Sequence, residues 1–119
     1  MSANRDKSAL TCLLNEELSA ITFVRDYLQL HFDGPFFNVY IWPKIKIGDR
    51  ILELETPGYR DALCAQIGKT VIGFCEKLGA RILINFSDGV VIEMSIGQGG
   101  RIGPEALLFR DAAGQLSVW

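Results

Sequence analysis

The chain has 119 residues, 49% of them hydrophobic and 22% charged, and 12 Lys plus Arg against 14 Asp plus Glu leave a formal net charge of −2. One hydrophobic core is expected at this length, burying roughly two-thirds of the unfolded surface; two cores and intrinsic disorder both fit poorly. The near-neutral balance, with no local basic run, argues against nucleic acid or an anionic membrane as partner.

No apolar stretch approaches the roughly 18 residues of a membrane-spanning helix, and Met1 to Lys7 lacks the apolar segment of a secretory signal. A cytoplasmic location is expected, with residues 1–7 as a flexible segment ahead of a single domain over 8–119. Cys12, Cys64 and Cys75 are odd in number and form no CxxC pair, so they read as small buried hydrophobes and not as disulfide or zinc ligands.

Leu10, Leu13 and Leu14 fall at helical spacing and predict a short helix over residues 8–14. From Leu18 the pattern changes to alternation rich in β-branched and aromatic residues, through Ile21, Phe23, Leu28, Leu30, Phe32, Val39 and Ile41. A two-residue loop at Asp33-Gly34 pairs Leu30 with Phe37, Leu28 with Val39, His31 with Phe36, Gln29 with Asn38 and Tyr27 with Tyr40, so apolar meets apolar on one face. Around Gly48-Asp49 the same arithmetic sets Ile45 against Leu52 and Lys44 against Glu53, with a type II′ turn. In the third hairpin a two-residue loop would place Ile84 opposite Glu93. A three-residue loop, Ser87 to Gly89, pairs Ile84 with Ile92 and Ile82 with Met94 and requires Gly89 in the left-handed region.

Between the second and third hairpins, Thr56-Pro57 reads as a helix start with the hydroxyl as N-cap, Asp61 in the first turn, Tyr59, Leu63 and Ile67 along one face and Gly68 as the stop. Residues 71–75 resume as a strand, Lys77 to Ala80 turn, and Leu107–Phe109 and Leu116–Trp119 supply one or two last strands. The predicted architecture is α+β: a mostly antiparallel sheet of roughly seven or eight strands, as a roll, open barrel or sandwich, with one principal helix and the short N-terminal one.

His31 is the only histidine, so Ser-His-Asp or Cys-His chemistry would have to run through it, and a His-rich metal site is excluded. Alternation sends Tyr27, Gln29 and His31 to one face, to which the hairpin register adds Phe36, Asn38, Tyr40 and Trp42. Such an aromatic and amide surface suits binding, because rigid rings give contact area at low entropic cost and amides give directional hydrogen bonds. The plainer alternative is the ordinary second face of a twisted sheet. The glycine-rich stretch Ile96 to Pro104 fits neither GxGxxG nor the phosphate-loop pattern and reads as a flexible connection. Asp26, Arg60, Asp61, Asp88, Glu93 and Glu105 lie near turns or strand ends, but nothing in their spacing demands a hydrolytic pair, and Asp61 suits the positive end of the helix dipole.

Residues 21–30 (ITFVRDYLQL), Gly58 to Cys64 (GYRDALC) with Ile67-Gly68-Lys69, Phe86 to Gly89 (FSDG) and Gly103 to Ala106 (GPEA) together resemble a group of small uncharacterised bacterial proteins. The resemblance spans most of residues 18–109 and implies a bacterial, intracellular, free-standing domain. It carries over no catalytic residue, while drawing attention to Asp26, Tyr27, Gln29, Arg60 and Asp61. The glycine-rich loop and the tail ending at Trp119 depart from it.

Three functions follow as expectations. The first is a non-catalytic protein-binding or accessory domain, immunity-like, using Tyr27, Gln29, His31, Asn38, Tyr40 and Trp42 and needing no cofactor or metal. The second is a binder of a small anionic molecule, or a minor enzyme, with Arg60 holding the ligand. The third is a structural homo-oligomer built on strand edges or the C-terminal segment.

Overall fold

A computed structural model describes residues 9–77, 80–96 and 106–119. The N-terminal segment 1–7, the glycine-rich stretch from Gly97 and Glu105 lie outside the described residues. The chain opens on a 3-10 turn, η1 (Ala9–Leu13), where a helix over 8–14 was expected; Leu10 and Leu13 enter the core and Leu14 is exposed. Ten strands follow among the described residues, more than the pattern suggested: β1 (Ala20–Phe23), β2 (Leu28–His31), β3 (Phe36–Val39), β4 (Lys44–Ile47), β5 (Arg50–Leu52), β6 (Val71–Lys77), β7 (Arg81–Phe86), β8 (Val91–Ser95), β9 (Leu107–Arg110) and β10 (Leu116–Val118). Helix α1 (Tyr59–Cys64) lies between β5 and β6. Among the described residues no helix is long and apolar enough to cross a membrane.

The strands form two five-stranded sheets, β1-β2-β3-β9-β10 and β5-β4-β8-β7-β6, with every pairing antiparallel. Leu28, Leu30, Phe37, Val39, Leu107 and Phe109 from the first sheet share one core with Ile45, Leu52, Ile82, Ile84, Phe86, Ile92 and Met94 from the second. This is the two-layer, sandwich-like solution, in which each sheet buries its alternate residues against the other. Phe37 and Phe109 pack with centroids 4.6 Å apart and a tilt of 40°, a favourable offset geometry at the centre of the first sheet.

All three hairpin registers read from the sequence are present. Leu28 faces Val39 and Leu30 faces Phe37, and the two-residue turn closes with Phe32 N–H donating to Pro35 O at 2.8 Å. Ile45 faces Leu52, with Gly48 at φ 59, and Lys44 meets Glu53 at 3.8 Å. Ile84 faces Ile92 and Ile82 faces Met94 across a three-residue loop whose Gly89 takes φ 89. A further hairpin joins β1 to β2 through Arg25-Asp26, closed by Val24 N–H to Tyr27 O at 2.8 Å. Splitting that long apolar stretch accounts for part of the higher strand count.

The helix differs from expectation at both ends. Its N-cap is Gly58 at φ 87, without a side-chain cap, while Thr56 Oγ1 instead accepts from Glu53 N–H at 2.9 Å and closes a turn after β5. Asp61 does lie in the first turn. The helix stops at Cys64, so Tyr59 and Leu63 are buried, but Ile67 lies beyond the last helical residue and is 42% exposed. Cys64 is likewise exposed, unlike the half-buried Cys12 and Cys75.

Candidate functional site

Cross-strand partners in an antiparallel sheet point to the same side, so register alone defines the outer face of the first sheet. One row across it runs Ala20, His31, Phe36, Arg110 and Leu116, and the next runs Thr22, Gln29, Asn38, Leu108 and Val118. Tyr27 and Tyr40 extend the face past the end of β2 and β3, with ring centroids 5.3 Å apart and a 44° tilt.

Four of the polar side chains singled out in the sequence form one continuous hydrogen-bonded chain. Gln29 Nε2 donates to Asn38 Oδ1 at 2.8 Å, and Asn38 Nδ2 donates to the Tyr40 hydroxyl at 3.2 Å. His31 Nε2 lies 3.2 Å from Gln29 Oε1. Because that amide oxygen only accepts, the arrangement assigns a hydrogen to His31 Nε2, and all three bonds then run in the same direction. The Tyr40 oxygen accepts the last bond and keeps its own proton to donate outward.

The aromatic groups brace this chain from both sides. The His31 and Phe36 rings stack with centroids 5.6 Å apart and planes at 24°. Ser19 holds the His31 backbone: the His31 carbonyl accepts from Ser19 N–H at 2.8 Å and from Ser19 Oγ at 3.1 Å, and the same hydroxyl oxygen accepts from Asp33 N–H at 3.1 Å. Tyr27, Gln29, His31, Phe36, Asn38 and Tyr40 are all half-buried. Arg110 is the one cation in these rows, and its Nη1 donates to Gly114 O in the adjacent turn at 3.2 Å. The face therefore offers rings, amides and aliphatic groups on a rigid base, a set suited to surface recognition.

Trp42 and Arg60 are not members of the hydrogen-bonded chain. Strand β3 ends at Val39 and the chain bends at Tyr40 and Ile41; burial still alternates through the bend, and Trp42, half-buried, packs in part against the core, with no strand register tying it to the outer face. Arg60 is exposed on α1, its guanidinium carbon 5.7 Å from the centroid of the Phe23 ring, a cation–π contact at the β1 edge.

The acidic residues considered for hydrolysis are dispersed. Asp26 is exposed in the β1–β2 turn and Asp61 on α1; Asp88 accepts from Val90 N–H at 3.1 Å and from Gln66 Nε2 at 3.3 Å; Glu93 pairs with Arg81 at 3.7 Å. Among the described residues no group of His, Cys, Asp and Glu converges as metal ligands. Leu108, Leu116 and Val118 complete the outer face but had no local signal, because only the long-range pairing of β3 with β9 sets them beside Asn38 and Phe36.

No protein-family model matches this chain, and no curated protein or solved structure does so either.

Proposed function

We propose that this chain is a non-catalytic binding protein whose first-sheet outer face docks a protein partner, as an accessory or immunity-like domain would. The supporting observation is the one-way hydrogen-bonded chain from His31 through Gln29 and Asn38 to Tyr40. Intramolecular bonds fix these side chains before any partner arrives, which lowers the ordering cost of binding. Tyr27, Phe36 and Tyr40 supply the half-exposed rings in which interface energy concentrates.

Affinity capture from a bacterial lysate with the immobilised parent, followed by titration of the captured protein against variants, tests this reading. Tyr40→Ala should weaken binding by about thirtyfold or more, equivalent to about 2 kcal/mol, with little change in folding stability. Trp42→Ala, half-buried against the core, should instead lose mainly folding stability. A folded Tyr27→Ala/Tyr40→Ala double variant that keeps every interaction of the parent would overturn the assignment.

A further inference from the structure

Sheet edges expose unpaired backbone N–H and C=O groups, and proteins blunt them with charge, proline, bulges or a covering element. Three of the four edges here are blunted. At β5 the strand carries the charged Arg50, and just past its end Thr56 takes both outward groups of Glu53: its Oγ1 accepts from Glu53 N–H at 2.9 Å and its N–H donates to Glu53 O at 2.8 Å. At β6, residues 15–18 cover the start of the strand, with Val71 N–H donating to Glu16 O at 2.8 Å and Leu18 N–H to Lys69 O at 3.1 Å, and the register shifts between Val71 and Gly73. At β1, α1 packs alongside and Arg60 lies over Phe23.

Strand β10 has no such device among the described residues; it reads Leu-Ser-Val, with no charge, proline or bulge. Its hydrogen bonding shows which groups face outward. Asp111 N–H donates to Gln115 O at 2.9 Å and Trp119 N–H to Leu107 O at 3.0 Å. Alternation between these two positions turns the backbone groups of Ser117 toward Phe109 and leaves those of Leu116 and Val118 aimed at the open edge.

We propose that β10 pairs with β10 of a second copy, antiparallel about a two-fold axis through Ser117, joining the two first sheets into one continuous sheet. The register is self-complementary. Leu116 falls opposite Val118 of the second copy, and Val118 opposite Leu116, each pair exchanging two backbone bonds, so every outward N–H and C=O of the strand is used. A shift of one residue would aim these groups away from their partners. The side chains agree with the backbone: Leu116 and Val118, each 54% exposed, share the outer face, and each meets an apolar residue across the axis. A second copy needs nothing that the strand does not itself supply, which is why it is the occupant favoured here. The pairing stands apart from the partner-binding reading, since it uses the strand edge and not the Gln29–Asn38 chain. So short a strand makes an interface below the standard size and hence a weak, concentration-dependent dimer.

The test is sedimentation equilibrium of the full chain up to about 1 mM, combined with cysteine cross-linking in a Cys64→Ser background that removes the exposed native thiol. The parent should shift from monomer to dimer with concentration. Val118→Pro removes an outward donor without breaking a bond inside the sheet, and should weaken the dimer by at least about tenfold; Leu116→Lys should do the same if the proline variant folds poorly. Ser117→Cys should cross-link under mild oxidation, because residues facing each other at a non-hydrogen-bonded site lie about 4.5 Å apart between Cα atoms, within disulfide reach. Gln115→Cys should not, its two copies lying about 13 Å apart in this register. A parent that remains monomeric throughout, a dimer untouched by both edge variants, or cross-linking at residue 115 as fast as at 117 would each overturn the proposal.

Discussion

The hydroxyl of Tyr59, the first residue of α1, donates to the carbonyl of Pro43 at the entry to β4, tying the helix to the second sheet through a phenol that is 1% exposed. Burial pushes the Tyr59 phenol well above its ordinary value of 10.0, and the neighbouring Arg60 charge offsets this only in part. Below the unfolded value both states hold the proton, so the contribution to stability is fully present. As pH rises past about 10 the unfolded chain releases its proton while the folded one retains it, so stability falls, by up to about 1.4 kcal/mol per pH unit. Tyr59→Phe should cost about 1–2 kcal/mol near neutral pH through the lost bond and the orphaned carbonyl. The gap between parent and variant should narrow above about pH 10. Urea denaturation of both proteins from neutral to alkaline pH reads this directly, and a gap independent of pH would contradict the buried phenol.

Leu63 and Ile67 share a helical spacing but not an environment: Leu63 is fully buried and Ile67 is 42% exposed. Leu63→Ala should lower stability by about 2–5 kcal/mol, whereas Ile67→Ala should stay within about 0.5 kcal/mol. Denaturation midpoints at unchanged slope are the measurement. Equal losses at the two positions would mean that the helix continues past Cys64.

Gly89 sits at φ 89, and a Cβ placed there would meet no atom within 4 Å. Any cost of Gly89→Ala is therefore conformational, about 1–2 kcal/mol, while Gly89→Asn should cost less because asparagine tolerates the left-handed region better. Comparing the two in the same thermal or urea titration separates backbone strain from crowding. An alanine variant as stable as the parent would rule out the three-residue loop with its left-handed glycine.

The hairpin registers were legible because each is a local problem: a glycine that supplies positive φ fixes the turn, and period-two alternation then permits only one pairing of apolar with apolar. The same logic placed Tyr27, Gln29, His31, Asn38 and Tyr40 on one face. Trp42 keeps the same half-burial beyond the bend at Tyr40 and Ile41, but it lies outside any strand, so no register assigns it to that face. The Arg25-Asp26 turn escaped notice because neither residue takes a positive φ, so the turn needs no glycine or asparagine. Thr56 does not cap the helix because its hydroxyl accepts from Glu53 N–H in the turn after β5, and the helix begins after Gly58.

Local pattern was enough for the antiparallel α+β class, the β2–β3, β4–β5 and β7–β8 pairings, and the parity of the aromatic and amide face, since all of these depend on residues a few positions apart. Tertiary structure decided the division into two sheets, the insertion of β9 beside β3, and hence which apolar residues extend that face and which strand is left at its edge. Pairings between distant segments are chosen by the burial of whole faces against one another. Local alternation specifies which side of a strand is apolar, but the packing of the complete core specifies which strand lies next to it.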